Sequence, residues 1–173
     1  MSFRFSYNPQ KSLEALLYVV NRCNSLYSVL KVLYFADKDH LSKYGRFIAG
    51  ESYVAMKHGP VPSGAYDMVK FVRGDRYPFF DDGGLNLIAS FRVENGIEIF
   101  PLREARNELL SDSDRECLDR AIERYGTLPF GELREQSHDE AYEAADCNDF
   151  ISVEAIVQTL PEADLLLEHL QGR

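Results

Sequence analysis

The sequence predicts a mainly α-helical fold, about seven helices with a small antiparallel β-hairpin or sheet, in one compact domain spanning residues 1–173. Three observations carry that expectation. Apolar residues recur at three- and four-residue spacing through most of the chain. Strand-like alternation is confined to two short runs, Glu51–His58 and Phe91–Phe100. Those runs do not alternate with helices as a βαβ unit requires. A chain of 173 residues with 45% hydrophobic and 27% charged residues can bury one sizeable core.

The first helix is expected over Lys11–Cys23, where Leu13, Leu16, Leu17, Val20 and Cys23 share a face behind the start signal Asn8-Pro9. Ser25 is placed to cap a second helix, Leu26–Tyr44. Its stripe of Leu26, Val29, Leu30, Leu33, Leu41 and Tyr44 also carries Asp37 and His40, whereas Lys31, Lys38 and Ser42 fall on the opposite side. Gly45 is placed as the left-handed residue that ends this helix. A buried carboxylate without a partner costs several kcal/mol, so Asp37 needs one. His40, one turn away, and Arg46, Lys57 and His58 are the candidates.

Glu51–His58 alternates Tyr53, Ala55 and Lys57 against Ser52, Val54, Met56 and His58, as a strand does. Gly59-Pro60-Val61-Pro62 is expected to stop the ladder, because each proline lacks a donor N–H. Ser63 is expected to cap a helix to Arg73, with Tyr66, Val69 and Val72 inward and Gly74 closing it. Asp75–Leu87 reads as a loop, with an apolar Tyr77-Pro78-Phe79-Phe80 and then Asp81-Asp82-Gly83-Gly84. Asn95-Gly96 between alternating residues predicts a type I′ hairpin, and Pro101 ends its second strand. Ser113 with Glu116 forms a capping box for a helix to Tyr125, with Cys117, Leu118, Ala121 and Ile122 inward. Pro129–Ser137 is a short helix with Phe130 and Leu133 inward, and Ala141–Ala145 is a further helical turn. Ser152–Gln158 is helical, and Thr159 with Glu162 forms a capping box for a last helix to Leu170.

Formal net charge is −9. Such a surface repels phosphate backbones, so nucleic acid is not an expected ligand, and it favours a basic protein partner. Cys23, Cys117 and Cys147 are odd in number and lack C-x-x-C spacing. That suits free thiols in a reducing cytosol and argues against a disulfide scaffold or a zinc ribbon. Met1–Pro9 has no apolar signal-peptide core, and no run approaches a membrane span. A cytoplasmic protein without membrane contact is expected.

A metal-dependent hydrolase would use Asp37, His40, His58 and His138, but no H-E-x-x-H or comparable ligand spacing occurs. The preferred reading is a structural polar network of Asp37, His40 and His58 that holds the second helix against the His-Gly-Pro turn. No catalytic residue, metal ligand or cofactor is assigned. A hairpin after a helix suits a DNA-binding regulator of the operon, but this one carries Glu94 and Glu98. Tyr44, Tyr53, Met56, Tyr66 and Phe71 are of the types enriched in interface cores, and equally suit the domain's own core.

Two quoted stretches carry a likeness: Leu33–Arg46, L-Y-F-A-D-K-D-H-L-S-K-Y-G-R, and Tyr53–Ser63, Y-V-A-M-K-H-G-P-V-P-S, with Tyr66-Asp67 after them. They closely resemble the SocA-like antitoxin domain, also called the Panacea domain, which includes phage-associated GepA-like proteins. Order and spacing hold from Lys31 to Lys70. Ser113-Asp114-Arg115-Glu116, Tyr125-Gly126, Leu133 and Ser137-His138 add a looser similarity, and Tyr142 stands where a Trp is frequent. The resemblance implies a non-enzymatic, prokaryotic antitoxin that neutralises a cognate protein toxin, encoded beside it, by direct binding. In one member the antitoxin also delivers the toxin to an ATP-dependent protease. Toxins of the family are diverse, and the acidic balance here fits a basic one. Some members carry an added DNA-binding domain, of which this sequence shows no sign. On this reading Tyr53, Met56, Lys57, His58, Gly59, Pro60, Val61 and Pro62 are the candidate contact surface, with Asp37 and His40 holding it in place.

Overall fold

The computed structural model describes residues 2–75 and 80–172. Among them the fold is mainly α, with nine helices and two small antiparallel sheets. Helix α2 (Leu26–Tyr44) lies at the centre. Around it pack α1 (Pro9–Val20), α5 (Asp112–Tyr125), α6 (Phe130–Ser137), α8 (Val153–Gln158) and the hairpin of β1 (Tyr53–Met56) and β2 (Gly59–Pro62). Every residue from Ser28 to Asp37 is buried. The sequence permits this because Val32, Tyr34, Phe35 and Ala36 make the second face apolar too, and a helix that is apolar all round is buried. Lys31, expected on the outer side, is therefore inside, whereas Tyr44, expected inside, is 44% exposed.

Local signals set several boundaries. The Asn8 side chain accepts from the Lys11 N–H at 3.0 Å and Pro9 takes the first helical position of α1. That helix stops at Val20, where Asn21 caps it, and leaves Cys23 outside. Ser25 makes no side-chain cap for α2. Instead the Leu26 N–H donates to the Ile97 carbonyl at 2.9 Å, so a distant hairpin satisfies the helix start. Gly45 ends α2 at φ 74°.

The proline segment corrects the sequence expectation. β2 pairs with β1 in the register Met56↔Gly59, Ala55↔Pro60, Val54↔Val61 and Tyr53↔Pro62, with Lys57-His58 as the turn. β2 is an edge strand, in the order β2-β1-β5, where β5 (Phe150–Ile151) is too short to read from sequence. The Ser63 N–H donates to the Ser52 carbonyl at 2.8 Å, so residues 61 and 63 face β1. Pro60 and Pro62 occupy the alternate positions, where a ladder donor is not needed.

After β2 comes α3 (Ser63–Arg73), which Ser63 does not cap; Gly74 ends it at φ 92°. The Asp75–Leu87 loop gives way to α4 (Leu85–Ser90), whose start Asp82 satisfies through the Gly84 and Asn86 N–H groups, both at 2.9 Å. Tyr77, Pro78 and Phe79 lie outside the described residues. β3 (Phe91–Glu94) and β4 (Glu98–Pro101) form the second hairpin, with Asn95 at φ 53° and Gly96 at φ 72°, the positive values a type I′ turn needs.

The capping box of α5 is Ser111 with Asp114, two residues before the expected pair, and it frees Ser113 to face α2. Phe130 on α6 is 50% exposed, not inward. α7 (Glu140–Glu143) is capped by Asp139. Thr159 ends α8 through its hydroxyl bond to the Ile156 carbonyl at 2.7 Å. α9 (Ala163–Gln171) follows Glu162, a left-handed residue at φ 54°, so the expected second capping box does not form. No helix among the described residues is long and apolar enough to cross a membrane.

The first residues run as a strap that periodicity did not reveal. Phe5 packs on Phe47 with centroids 5.1 Å apart, and the Asn8 N–H donates to the Ala49 carbonyl at 2.9 Å. Gly50, at φ 72°, allows the close pass: a Cβ there would stand 2.1 Å from the Ser6 carbonyl oxygen. Gly50→Ala should therefore cost on the order of 3 kcal/mol, read as a lower thermal midpoint by circular dichroism. An unchanged midpoint would contradict the close approach.

Candidate functional site

Two buried polar clusters flank α2; Asp37 lies in one and His40 in the other. Asp37 is 4% exposed. Its Oδ1 accepts from the Ile48 N–H at 2.7 Å and its Oδ2 from the Tyr53 hydroxyl at 2.6 Å. Burial pushes Asp37 up to about 6, against the pull of these two donors. Glu51, which sequence reasoning missed, completes this region. It accepts from the Ser12 hydroxyl at 2.5 Å and from the Gly64 and Ala65 N–H groups at 2.9 and 3.0 Å. Glu51 is thus the cap of α3, and burial pushes it up to about 7. No local pattern marks this role, because the capped helix starts beyond a whole hairpin.

His40 belongs to the other cluster. Its Nδ1–H donates to the Arg46 carbonyl at 2.8 Å, and its Nε2 accepts from the Ser113 hydroxyl at 2.9 Å. Burial lowers the His40 pKa, which fits a neutral ring with its proton on Nδ1. Beside it Asp114 is fully buried and meets Lys11 at 2.7 Å and Arg46 at 3.1 Å. Burial opposes ionisation there, but Lys11, the Ser111 N–H and Arg46 hold Asp114 below the ordinary carboxylate value. The expected Asp37–His40 contact is replaced by these separate partners.

His58 joins neither cluster. It is exposed at the tip of the β1–β2 hairpin, with its ring 5.3 Å from that of Phe130. His138 lies against Tyr142 with centroids 4.1 Å apart. The four residues of the hydrolase alternative therefore do not converge. Among the described residues, no group of three or more His, Cys, Asp or Glu is placed to hold a metal ion.

What the structure does build is a hairpin tip tied down by side-chain donors. The carbonyls of Met56, His58 and Pro60 accept from the Tyr142 hydroxyl, the Tyr27 hydroxyl and the Lys31 ammonium, each at 2.7 Å. Gly59 stands at φ 123°, where a Cβ would lie 2.7 Å from Ser137 Oγ and 2.8 Å from Lys31 Cε. Of the candidate contact residues, Tyr53, Gly59, Pro60, Val61 and Pro62 are buried, Met56 is half-buried, and Lys57 and His58 are exposed. The tip walls a groove of about 790 Å³, with the β3–β4 tip and α3 opposite. Two apolar side chains at this groove are open to solvent, Ile97 at 67% and Phe130 at 50%. Phe130 packs on Tyr27, centroids 4.4 Å apart. Neither Ile97 nor Phe130 stood out in the sequence, since only the fold brings α6 and the second hairpin beside the first.

Residues 29–143 match the family described as antitoxin SocA-like, Panacea domain. The span runs from the first turn of α2 to the end of α7 and includes both hairpins. No curated protein and no solved structure matches the chain.

Two outcomes follow for stability. Asp37 and Glu51 bind protons more tightly folded than unfolded, since their pKa values rise from 3.8 to about 6 and from 4.5 to about 7. Their linked contribution therefore falls as pH rises between about 4.5 and 7. His40 and His138, whose pKa values are lowered from 6.5, contribute in the opposite sense in this window, so the variant carries the test: the midpoint of Glu51→Gln should fall less, or rise more, than the wild type's between pH 4.5 and 7, and identical slopes would contradict the assignment. Tyr53→Phe removes one of the two donors to Asp37 and should cost about 1–3 kcal/mol by urea unfolding at an unchanged m-value.

Proposed function

Because the chain belongs to the SocA-like antitoxin, Panacea domain family, we propose that it is the antitoxin of a toxin–antitoxin system and neutralises a cognate protein toxin by direct binding. The observation that carries this reading is the hairpin tip. Family-like residues spend their conformational constraint on fixing a short surface loop beside an apolar groove, and a fixed loop binds without an ordering cost. Lys57, His58, Ile97 and Phe130 are the proposed contacts. Tyr53, Gly59, Pro60, Val61 and Pro62 shape the backbone beneath them, and Met56 contributes from a half-buried position.

No chemistry is assigned to the chain. Asp37 and His40 have their hydrogen-bonding capacity taken up by Ile48, Tyr53, Arg46 and Ser113. The formal charge of −9 favours a basic toxin in the cytoplasm, captured by electrostatic steering. Residues 1–173 act in this account as one domain. A bound toxin could be inactivated by occlusion alone or passed on to an ATP-dependent protease.

Co-expression with the product of the neighbouring gene should restore growth and yield a stoichiometric complex on purification. A neighbour that is harmless alone and does not bind would sink the proposal. Phe130→Ala and His58→Ala truncate exposed side chains, so each should change stability by less than about 1 kcal/mol. Each should weaken toxin capture by about tenfold or more in a calorimetric titration. Undiminished affinity in both variants would place the contact elsewhere.

A further inference from the structure

Among the described residues, the buried charged side chains are matched with one exception. Glu14 meets Arg103 at 2.7 Å, and Asp114 meets Lys11 and Arg46. Asp37 and Glu51 face hydrogen-bond donors. Lys31 is 1% exposed, and among the described residues no carboxylate stands within ion-pair reach of it. Its ammonium carries three N–H donors. One is used by the Pro60 carbonyl at 2.7 Å, and the Tyr27 ring lies with its centroid 4.9 Å from Nζ. A buried cation without an anion is costly, and burial alone pushes Lys31 down to about 7.

Lys31 also lines the groove between the two hairpin tips. The charged side chains and histidine there are Lys31, Lys57, His58 and Arg73 against the carboxylate of Glu98; Arg73 is already paired with Asp75 at 2.5 Å, which leaves Lys31 and Lys57 to set a positive balance. That reverses the balance of a chain whose formal charge is −9. The remaining walls include Tyr27, Leu30, Met56, Val61, Ile97 and Phe130. A volume of about 790 Å³ suits several side chains at once. Gly59 lets the hairpin backbone pass close over the lysine, since a Cβ there would stand 2.8 Å from Lys31 Cε.

We propose that this groove is a carboxylate-binding site, in which Lys31 pairs with a carboxylate carried on an apolar segment of the protein partner. The identity of that partner rests on the antitoxin reading, whereas the chemistry of the groove does not. The carboxylate supplies the missing counter-charge, and the apolar walls take the side chains around it. A basic toxin then meets the acidic outer surface with most of its area and commits one acidic or C-terminal group to the groove. The competing assignment is a lysine that serves only to clamp the Pro60 carbonyl.

The test has one arm without a partner and one with it. Phenylbutyrate, an apolar carboxylate, is titrated into the full chain, with phenylbutanamide as its neutral twin. The ε-methylene signal of Lys31 is followed in a proton–carbon correlation spectrum. The acid should shift that signal saturably and bind at least about tenfold more tightly than the amide. Equal binding of the two, or no shift at Lys31, overturns the proposal. In the second arm Lys31→Gln keeps a donor for Pro60 and removes the charge. It should weaken capture of the neighbour-encoded toxin at least about tenfold, and neutralising one toxin carboxylate should give the same loss without adding to it. Undiminished capture by Lys31→Gln overturns the proposal even if the probe binds. A wild-type chain that captures no neighbour sinks the antitoxin reading instead, and the probe still decides the groove's chemistry.

Discussion

Over Ser28–Asp37 helix α2 has no side facing solvent, and that burial forces each of its polar groups to find a fixed partner. Tyr34 donates to Asp139 at 2.7 Å, Lys31 to the Pro60 carbonyl, and Asp37 accepts from Ile48 and Tyr53. One turn on, His40 links the Arg46 carbonyl to Ser113. These bonds tie α2 to α7's cap, the edge strand, β1, α5 and the loop at Arg46–Ile48 that follows the helix. Leaving one such group unpaired costs about 1–3 kcal/mol, a sizeable part of a typical domain's 5–15 kcal/mol. The helix therefore specifies where its neighbours sit, not only that they pack.

The β1–β2 hairpin shows how this reaches the surface. Its tip is fixed from below by hydroxyl and ammonium donors from α2 and α7, and its prolines leave no ladder donor unused on the edge. Gly59 lets the backbone pass close over Lys31 and Ser137.

Much of the fold was legible in the sequence wherever the determining signal is local. Gly45 ends α2 and Asn8-Pro9 starts α1 as expected from the sequence. Non-local determinants were not legible. The Glu51 cap of α3, the short β5 and the exposed Phe130 depend on elements distant in the chain. Two signals were present but misweighed. Val32, Tyr34, Phe35 and Ala36 already announced a helix with two apolar faces, and hence a buried Lys31. Ser111 and Ser113 offered competing capping boxes, and the one whose acid meets Lys11 and Arg46 forms. At the candidate site the prolines point to an end of the ladder, whereas their segment forms its edge strand, and the groove is made of two hairpins and α6, which only tertiary packing assembles.

α2's side chains tie down the β1–β2 tip, and in the proposed function that tip is what a protein partner grasps. Amide hydrogen exchange of the chain, alone and in complex with the neighbour-encoded toxin, decides this. The amides of α2 and β1 should be strongly protected already in the free chain. New protection on binding should appear at Lys57, His58, Gly96, Ile97 and Phe130. Protection that appears elsewhere while these five stay unchanged, or a hairpin that exchanges freely until the partner binds, would contradict it.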